Sequence, residues 1–149
     1  MDISAKHFDE LRTLELWEIY KLRSDVFIVE QACAYPDIDV YDKVAYHMMA
    51  RENGQLIGYL RLLPARSLHK DASIGRIVAK ERREGIGTKI VQAGMAFITQ
   101  VMGQDKIYIE AQAYALPFYE KLGFKAITDE FVVDGIPHVG MTWTKEGAQ

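Results

Sequence analysis

The order of elements along this chain predicts an α/β (α+β) fold built on a mixed sheet. Three observations carry that prediction. Asn53-Gly54 and Asp134-Gly135 each lie between apolar runs, and such dipeptides favour two-residue hairpin turns because both central residues must adopt positive φ. Between the two hairpins, apolar strands alternate with a long helical pattern. The resulting order is helix, hairpin, strand, helix, strand, helix, hairpin, the interleaving expected of a sheet covered by helices.

Thr13 is placed to cap the first helix, with Glu15 in its first turn, where the helix dipole favours an anion. Leu16, Ile19, Tyr20, Arg23, Val26 and Phe27 follow at helical spacing, which predicts a helix to about Val29. An acidic loop over 30–42 contains Pro36. Residues 44–51 and 56–63 read as the strands of the first hairpin, stopped by Pro64. Residues 67–71 are a polar turn, and 73–79 an apolar strand. Ile86, Ile90, Val91, Gly94, Phe97, Ile98 and Val101 mark one face of a long helix, ended by Gly103. Residues 106–112 form a strand, and Pro117 suits the first turn of a short helix closing before Gly123. Residues 125–133 and 138–144 complete the second hairpin.

Bulk properties exclude several classes of function. At 149 residues the chain has the length of one domain, large enough to bury roughly 68–70% of its unfolded surface without a disulfide or metal. Apolar residues make up 49% and charged residues 26%, which argues against disorder. The net charge is -3 and no Lys/Arg run exceeds Arg82-Arg83. No basic stripe is present for a nucleic acid. Cys33 is the single cysteine, so no intrachain disulfide can form, and it reads as a small apolar filler. The four histidines show no metal spacing. No apolar run approaches the ~20 residues of a membrane helix, and Asp2, Asp9 and Glu10 are unlike a signal peptide. Together these features predict a cytoplasmic protein that binds neither membrane nor nucleic acid. Homodimerisation is compatible with them.

Chemistry concentrates between the strand 73–79 and the long helix, in Lys80-Glu81-Arg82-Arg83-Glu84-Gly85-Ile86-Gly87-Thr88-Lys89. A helix N-terminus presents unpaired N–H groups and about half a positive charge, and glycines let a phosphate approach that backbone closely. The order Gly87-Thr88-Lys89 fails the Walker pattern, and Ile90 stands where a dinucleotide loop needs a third glycine. What remains is R-x-x-G-x-G at Arg82, Gly85 and Gly87. Alone, this pattern fits an anion site and a ligand-free left-handed turn equally well.

A second element decides between them. The R-x-x-G-x-G loop resembles the acetyl-CoA signature of the GNAT superfamily, and Pro117-Phe118-Tyr119-Glu120-Lys121-Leu122-Gly123-Phe124 resembles that superfamily's later FY-x-x-x-GF element. Order and separation match as well. A narrower likeness is to the ElaA family, carried by residues 26–31, 35–39, 74–78, 111–113 and 134–141. Glu110, where relatives are expected to be small, and Tyr114, where they tend to have His, depart from it.

The resemblance implies a GNAT-like, mostly antiparallel sheet in which two neighbouring parallel strands, 73–79 and 106–112, splay apart. It implies an acetyl-CoA-dependent N-acetyltransferase acting by direct transfer to an amine. The same cofactor loop is also compatible with a non-catalytic acyl-CoA-binding or sensing module. Backbone of Ile77, Val78 and Ala79, together with Gln112, would hold the pantetheine arm. Arg82, Arg83, Glu84, Gly85, Ile86, Gly87 and Thr88 would hold the diphosphate, with Lys80 adding charge. Tyr119 would be the general acid towards the departing thiolate. Its phenol, pKa about 10, keeps its proton at pH 7. Phe118 and Leu122 would fill the core and leave Tyr119 to the cleft.

An amine acceptor also needs a base, since deprotonating a lysine-like amine at pH 7 costs on the order of 4–5 kcal/mol and an α-amine only about 1 kcal/mol. Glu30, Glu110, His47 and His138 are the candidates, and spacing does not choose among them. Asp37, Asp39 and Asp42 are available to a cationic acceptor or to solvent. Arg23, Arg61 and Arg76 stand at apolar-flanked positions. Arg76, within a buried-looking strand, requires a partner, for which Glu30 or Asp39 would serve, giving an ion pair in the wall of the acceptor pocket. Glu30, Arg76 and His138 are accordingly assigned to the acceptor side.

Overall fold

The structure, a computed structural model, describes residues 1–32, 35–80 and 85–145. Among these, eight strands form one sheet: β1 Asp2–His7, β2 Tyr46–Glu52, β3 Gln55–Leu63, β4 Ala72–Ala79, β5 Lys106–Gln112, β6 Lys125–Ala126, β7 Phe131–Val133 and β8 Ile136–Thr144. They lie in the order β1-β2-β3-β4-β5-β8-β6, with β7 also paired to β8. All pairings are antiparallel except β4 with β5. The helices are α1 Thr13–Arg23, α2 Ile86–Gln100 and α3 Leu116–Lys121. No described helix is long and apolar enough to cross a membrane.

Both hairpins form as their turn residues predict. Asn53 and Gly54 have φ of 52° and 79°, Asp134 and Gly135 49° and 77°, the paired positive values of a type I′ turn. Strand alternation then sorts side chains to two faces. Leu60 and Leu62 on β3 join Ile90, Val91 and Ile98 of α2 in one core. Tyr59, one residue before Leu60 and so on the opposite face, packs with Ile19, Leu22 and Phe27 on the α1 side. Each fully buried leucine or isoleucine contributes about 1.5–3 kcal/mol, so this alternation locks the register of β3.

Four expectations need correction. An additional strand, β1, precedes the predicted elements; its signal is the alternation of Ile3 and Ala5 with Asp2, Ser4 and Lys6, weakened by its position at the sheet edge. Thr13 is the first residue of α1, not its cap: Arg12 precedes it in extended conformation, and Glu15 turns back to accept from the Arg12 N–H at 2.8 Å. α1 also does not run on unchanged to Val29. From Ser24 to Glu30 it widens into π-helical geometry, with Gln31 N–H bonding five residues back to Val26 at 3.2 Å. Finally, 125–133 is not one strand. β6 and β7 are separated by residues 127–130, where Ile127 N–H bonds Gly140 at 2.8 Å. Gly103 (φ 68°) and Gly123 (φ 99°) end α2 and α3 as expected.

Candidate active site

β4 and β5 pair only at Ala72↔Ile107 and Ser73↔Tyr108. Beyond this fork, Ile74 to Ala79 and Ile109 to Gln112 carry no mutual hydrogen bonds, so each strand presents an unpaired backbone edge. A bulge in β4 accompanies the divergence. Tyr59 of β3 pairs with Val78 but Arg61 pairs with Gly75, and within this stretch Arg76 takes a φ of 53°. A bulge bends its strand, and a left-handed non-glycine residue costs about 1–2 kcal/mol, so the bend must be held by contacts.

Three arginines and three aspartates hold it. Arg23 is wholly buried. Its Nε donates to Asp37 Oδ2 at 2.9 Å and its Nη1 to Asp42 Oδ1 at 2.8 Å. Arg61 Nη1 donates to Asp39 at 2.7 Å and to Asp42 at 3.1 Å. Arg76 Nη2 donates to the Asp37 carbonyl at 2.9 Å. Its Nε lies 2.8 Å from Asp37 Oδ1, a charge contact lacking the alignment of a hydrogen bond, and its guanidinium rests 5.7 Å from the Tyr35 ring centroid. Burial alone would raise the Asp42 carboxyl, but hydrogen bonds and charge from Arg23 and Arg61 outweigh it and hold it below the usual carboxylate range. The aspartates are therefore committed to arginines and not open to a cationic acceptor; Asp37 and Asp42 are buried, while Asp39 keeps partial exposure. The pairing expected for Arg76 forms with Asp37, and with Asp39 at 3.4 Å, but not with Glu30.

A cavity of about 800 Å³ fills the opening between the strands. At one end it meets Lys80, Gly85, Gly87 and Thr88, and at the other Leu68, His69 and Ser73. Gly85 (φ 70°) precedes α2, whose first-turn N–H groups lie outside the helix's own ladder. Among the described residues, a Cβ on Gly87 would meet only Phe118 at 3.9 Å and Ala79 at 4.0 Å. Packing does not demand glycine there, so its absent side chain leaves free space at the helix terminus. Arg82, Arg83 and Glu84 lie outside the described residues, as does Cys33.

An acetyltransferase (GNAT) domain family model matches residues 21–145. The chain belongs to the GNAT family. Among similar proteins, a UPF0039 protein of Schizosaccharomyces pombe is 41% identical over 145 residues, covering 95% of each chain. Protein ElaA of Escherichia coli is 34% identical over 139 residues, covering 91% of each. The crystal structure of ElaA superposes with a TM-score of 0.87 over 96% of this chain and 99% of that one, at 32% identity. An acyl-CoA N-acyltransferase from Pseudomonas aeruginosa superposes at 0.90 over 97% and 100%, at 34% identity.

Within this GNAT frame the remaining candidates separate. Ile77, Val78, Ala79 and Gln112 line the opening; the Val78 side chain turns into the α1-side core. Ile86 is buried at the start of α2. Tyr119 also lines the cavity, yet it is the buried residue of α3, packed edge-on to Phe118 (5.0 Å) and Phe124 (6.0 Å). Phe118 and Leu122 are only partly buried, the reverse of the expected division, because the short helix turns Tyr119 inward over the sheet. Its hydroxyl has no hydrogen-bond partner among the described residues. Burial, followed by the nearby Tyr114, pushes its phenol well above the ordinary value.

Of the four base candidates, His47 is excluded by geometry. It is fully buried, with Nε2 2.9 Å from the Asp42 carbonyl and Nδ1 2.6 Å from Tyr59 Oη. A carbonyl can only accept, so Nε2 carries the proton and Nδ1 accepts from the phenol. Burial lowers its basicity. Glu30, Glu110 and His138 all line the cavity. His138 Nδ1 donates to the Ile136 carbonyl at 2.7 Å, which leaves Nε2 available. His69 and Tyr108 were missed. His69 falls in the turn 67–71, whose polar composition gave no sign that it would fold against β5.

Proposed function

We propose that this protein transfers an acyl group, in the simplest case acetyl, from coenzyme A to an amine. The observation that carries the reading is the fork between β4 and β5. It leaves two unpaired strand edges beside a cavity that reaches from the start of α2 to the 67–71 turn. A pantetheine arm offers amides that such edges satisfy, at positions such as Ile77 to Ala79 and Gln112. The first-turn N–H groups at Ile86, Gly87 and Thr88, with Gly85 and the adjoining Arg82, Arg83 and Glu84, would hold the diphosphate, favoured by the helix dipole. The space at Gly87 fits this assignment.

Coenzyme A, when bound, supplies an activated thioester. The chain does the rest. Strand edges orient the arm, and the Arg23–Arg61–Arg76 network holds the bulge and one wall. Tyr119 keeps its proton at neutral pH, as a donor to a leaving thiolate must. Glu30 and His138 line the acceptor side. Arg76 contributes to the wall through its ion pairs. The similar acyl-CoA N-acyltransferase of P. aeruginosa supports the reading. The structure of an aminoglycoside 6'-N-acetyltransferase complexed with coenzyme A, at 17% identity and a TM-score of 0.69, supports the fold alone.

Calorimetric titration with acetyl-CoA tests the cofactor assignment. Micromolar binding to the wild type, lost when Gly87 is replaced by valine, is the expected result. No binding by the wild type overturns the proposal. Binding without thiol release across a panel of amines would leave an acyl-CoA-binding module.

A further inference from the structure

We propose that His69 and Glu110 form the acceptor end of this cavity, a site for a primary ammonium group, with His69 taking up the proton the amine must lose. The inference rests on the acyltransferase reading above and names its substrate class and proton acceptor.

Position comes first. The coenzyme's charged end belongs at the start of α2, beside the C-terminal end of β4. From there to the fork at Ser73 is six residues, roughly 20 Å at ~3.3 Å per residue. The reacting end of an extended arm therefore points towards the fork. Tyr108 is the last residue of β5 paired with β4, and Glu110, two residues on, faces the same side of the strand. His69 reaches the same place from the turn before β4, its ring 4.7 Å from that of Tyr108. Both His69 and Glu110 line the cavity.

The arrangement is built. Tyr108 Oη donates to Glu110 Oε2 at 2.9 Å, which orients the carboxylate. The opposing β8 residue is Gly140, where a Cβ would stand 2.8 Å from Tyr108 Oη, so the glycine makes room for that hydroxyl. Neither ring nitrogen of His69 has a hydrogen-bond partner among the described residues. The groups acting on His69 are Glu110 on β5 and Arg61 on β3; burial and Arg61 lower its basicity and Glu110 raises it, with burial dominant. The imidazole is thus neutral at pH 7 and able to accept a proton.

Charge selects the ligand. Of the cations lining the cavity, Arg61 and Arg76 are neutralised by Asp37, Asp39 and Asp42, and Lys80 lies at the coenzyme end. Glu30 and Glu110 have no cationic partner among the described residues. The acceptor half is therefore net anionic and suits an ammonium, not a carboxylate. The step balances. The ammonium gives one proton to His69, which releases it to solvent. The free amine bonds to the acyl carbon as the carbon–sulfur bond breaks. The second N–H proton replaces the one Tyr119 gives the thiolate.

The test uses the full chain saturated with coenzyme A, after calorimetry shows that coenzyme A binds. Failure at that point defeats the acyltransferase reading and this inference with it. The His69 ring signals, identified by their loss in His69→Gln, are followed by NMR during titration with 1,4-diaminobutane and, separately, butyrate. Saturable shifts with the diamine, none with butyrate, and a midpoint at least tenfold higher in Glu110→Gln are expected. An unchanged midpoint in Glu110→Gln, or an equal response to butyrate, overturns the ammonium site. With acetyl-CoA and the same diamine, His69→Gln should lower kcat by about 10²-fold or more, the range of a general base, with KM within twofold and the acid limb of the pH profile removed. A loss confined to KM, or binding by the wild type without turnover, overturns the proton-transfer role.

Discussion

Arg23 forks onto Asp42 inside the fold, with Nη1 2.8 Å from Oδ1 and Nη2 3.2 Å from Oδ2. Both side chains are essentially inaccessible to solvent. Asp42 also accepts from Arg61 at 3.1 Å, so one carboxylate bridges two buried guanidinium groups, with Asp37 and Asp39 supplying the remaining negative charge. Removing one partner of such a network leaves an uncompensated buried charge, at a cost of about 3–5 kcal/mol. Asp42→Ala should lose that much stability, measured by urea denaturation at pH 7. A loss under about 1 kcal/mol would show that the network contributes little.

Two buried groups give stability a pH dependence of stated sign. His47 has a folded pKa below its unfolded value of about 6.5. The unfolded chain therefore binds a proton that the fold refuses, and stability is lost as pH falls below about 6.5. Asp42 is also depressed. Its contribution is fully present above about 3.9 and lost as pH falls from there through the folded value. Urea midpoints between pH 8 and pH 3 should decline in these two windows. His47→Gln should flatten the first of them.

Gly87 separates folding from ligand binding. Its position in the first turn of α2 has ordinary room for a Cβ, and alanine in a helix is favoured over glycine by about 0.5–1 kcal/mol. Gly87→Ala should leave the melting temperature unchanged or raised while weakening coenzyme A binding at least tenfold. Melting and calorimetry on the same sample read the two effects. Weakened folding with intact binding would contradict the assignment.

Tyr119→Phe removes a hydroxyl that bonds no described residue, while the ring contacts with Phe118 and Phe124 persist. Stability should change by less than about 0.5 kcal/mol. Acyl transfer should slow by roughly 10²–10⁴, as for loss of a general acid. Full turnover at every pH would remove the acid role.

Gly140→Ala tests the support of Glu110 from the opposite strand. The new Cβ would stand 2.8 Å from both Tyr108 Oη and Thr128 Cγ2, so the phenol must move, at a cost of about 1–3 kcal/mol. Diamine binding should weaken as in Glu110→Gln while coenzyme A affinity holds. Unchanged diamine binding would separate Tyr108 from the site.

Much of this protein was legible in its sequence because the relevant physics is local. Asn53-Gly54 and Asp134-Gly135 specify their turns through positive φ, and Gly85 its place before α2. The periodicity of Ile86 to Ile98 marks a helix whichever sheet it covers. The loop at Gly85–Gly87 and the Tyr119 helix carry the family resemblance in short contiguous motifs. What only the tertiary structure decided is non-local. Arg23 and Asp37 are 14 residues apart, and Arg76 and Asp37 are 39 apart, so beyond the Arg76–Asp39 pair that the sequence suggested, the acidic loop did not reveal that its carboxylates would pair with buried arginines. Tyr119 turned inward because the helix pose over the sheet, not its periodicity, chooses the buried face. His69 met Tyr108 and Glu110 only when β4 paired with β5 for two residues and then parted from it. Local conformational preference is written residue by residue, whereas the compensation of buried charge and the meeting of titratable groups depend on which distant segments the packed sheet brings together.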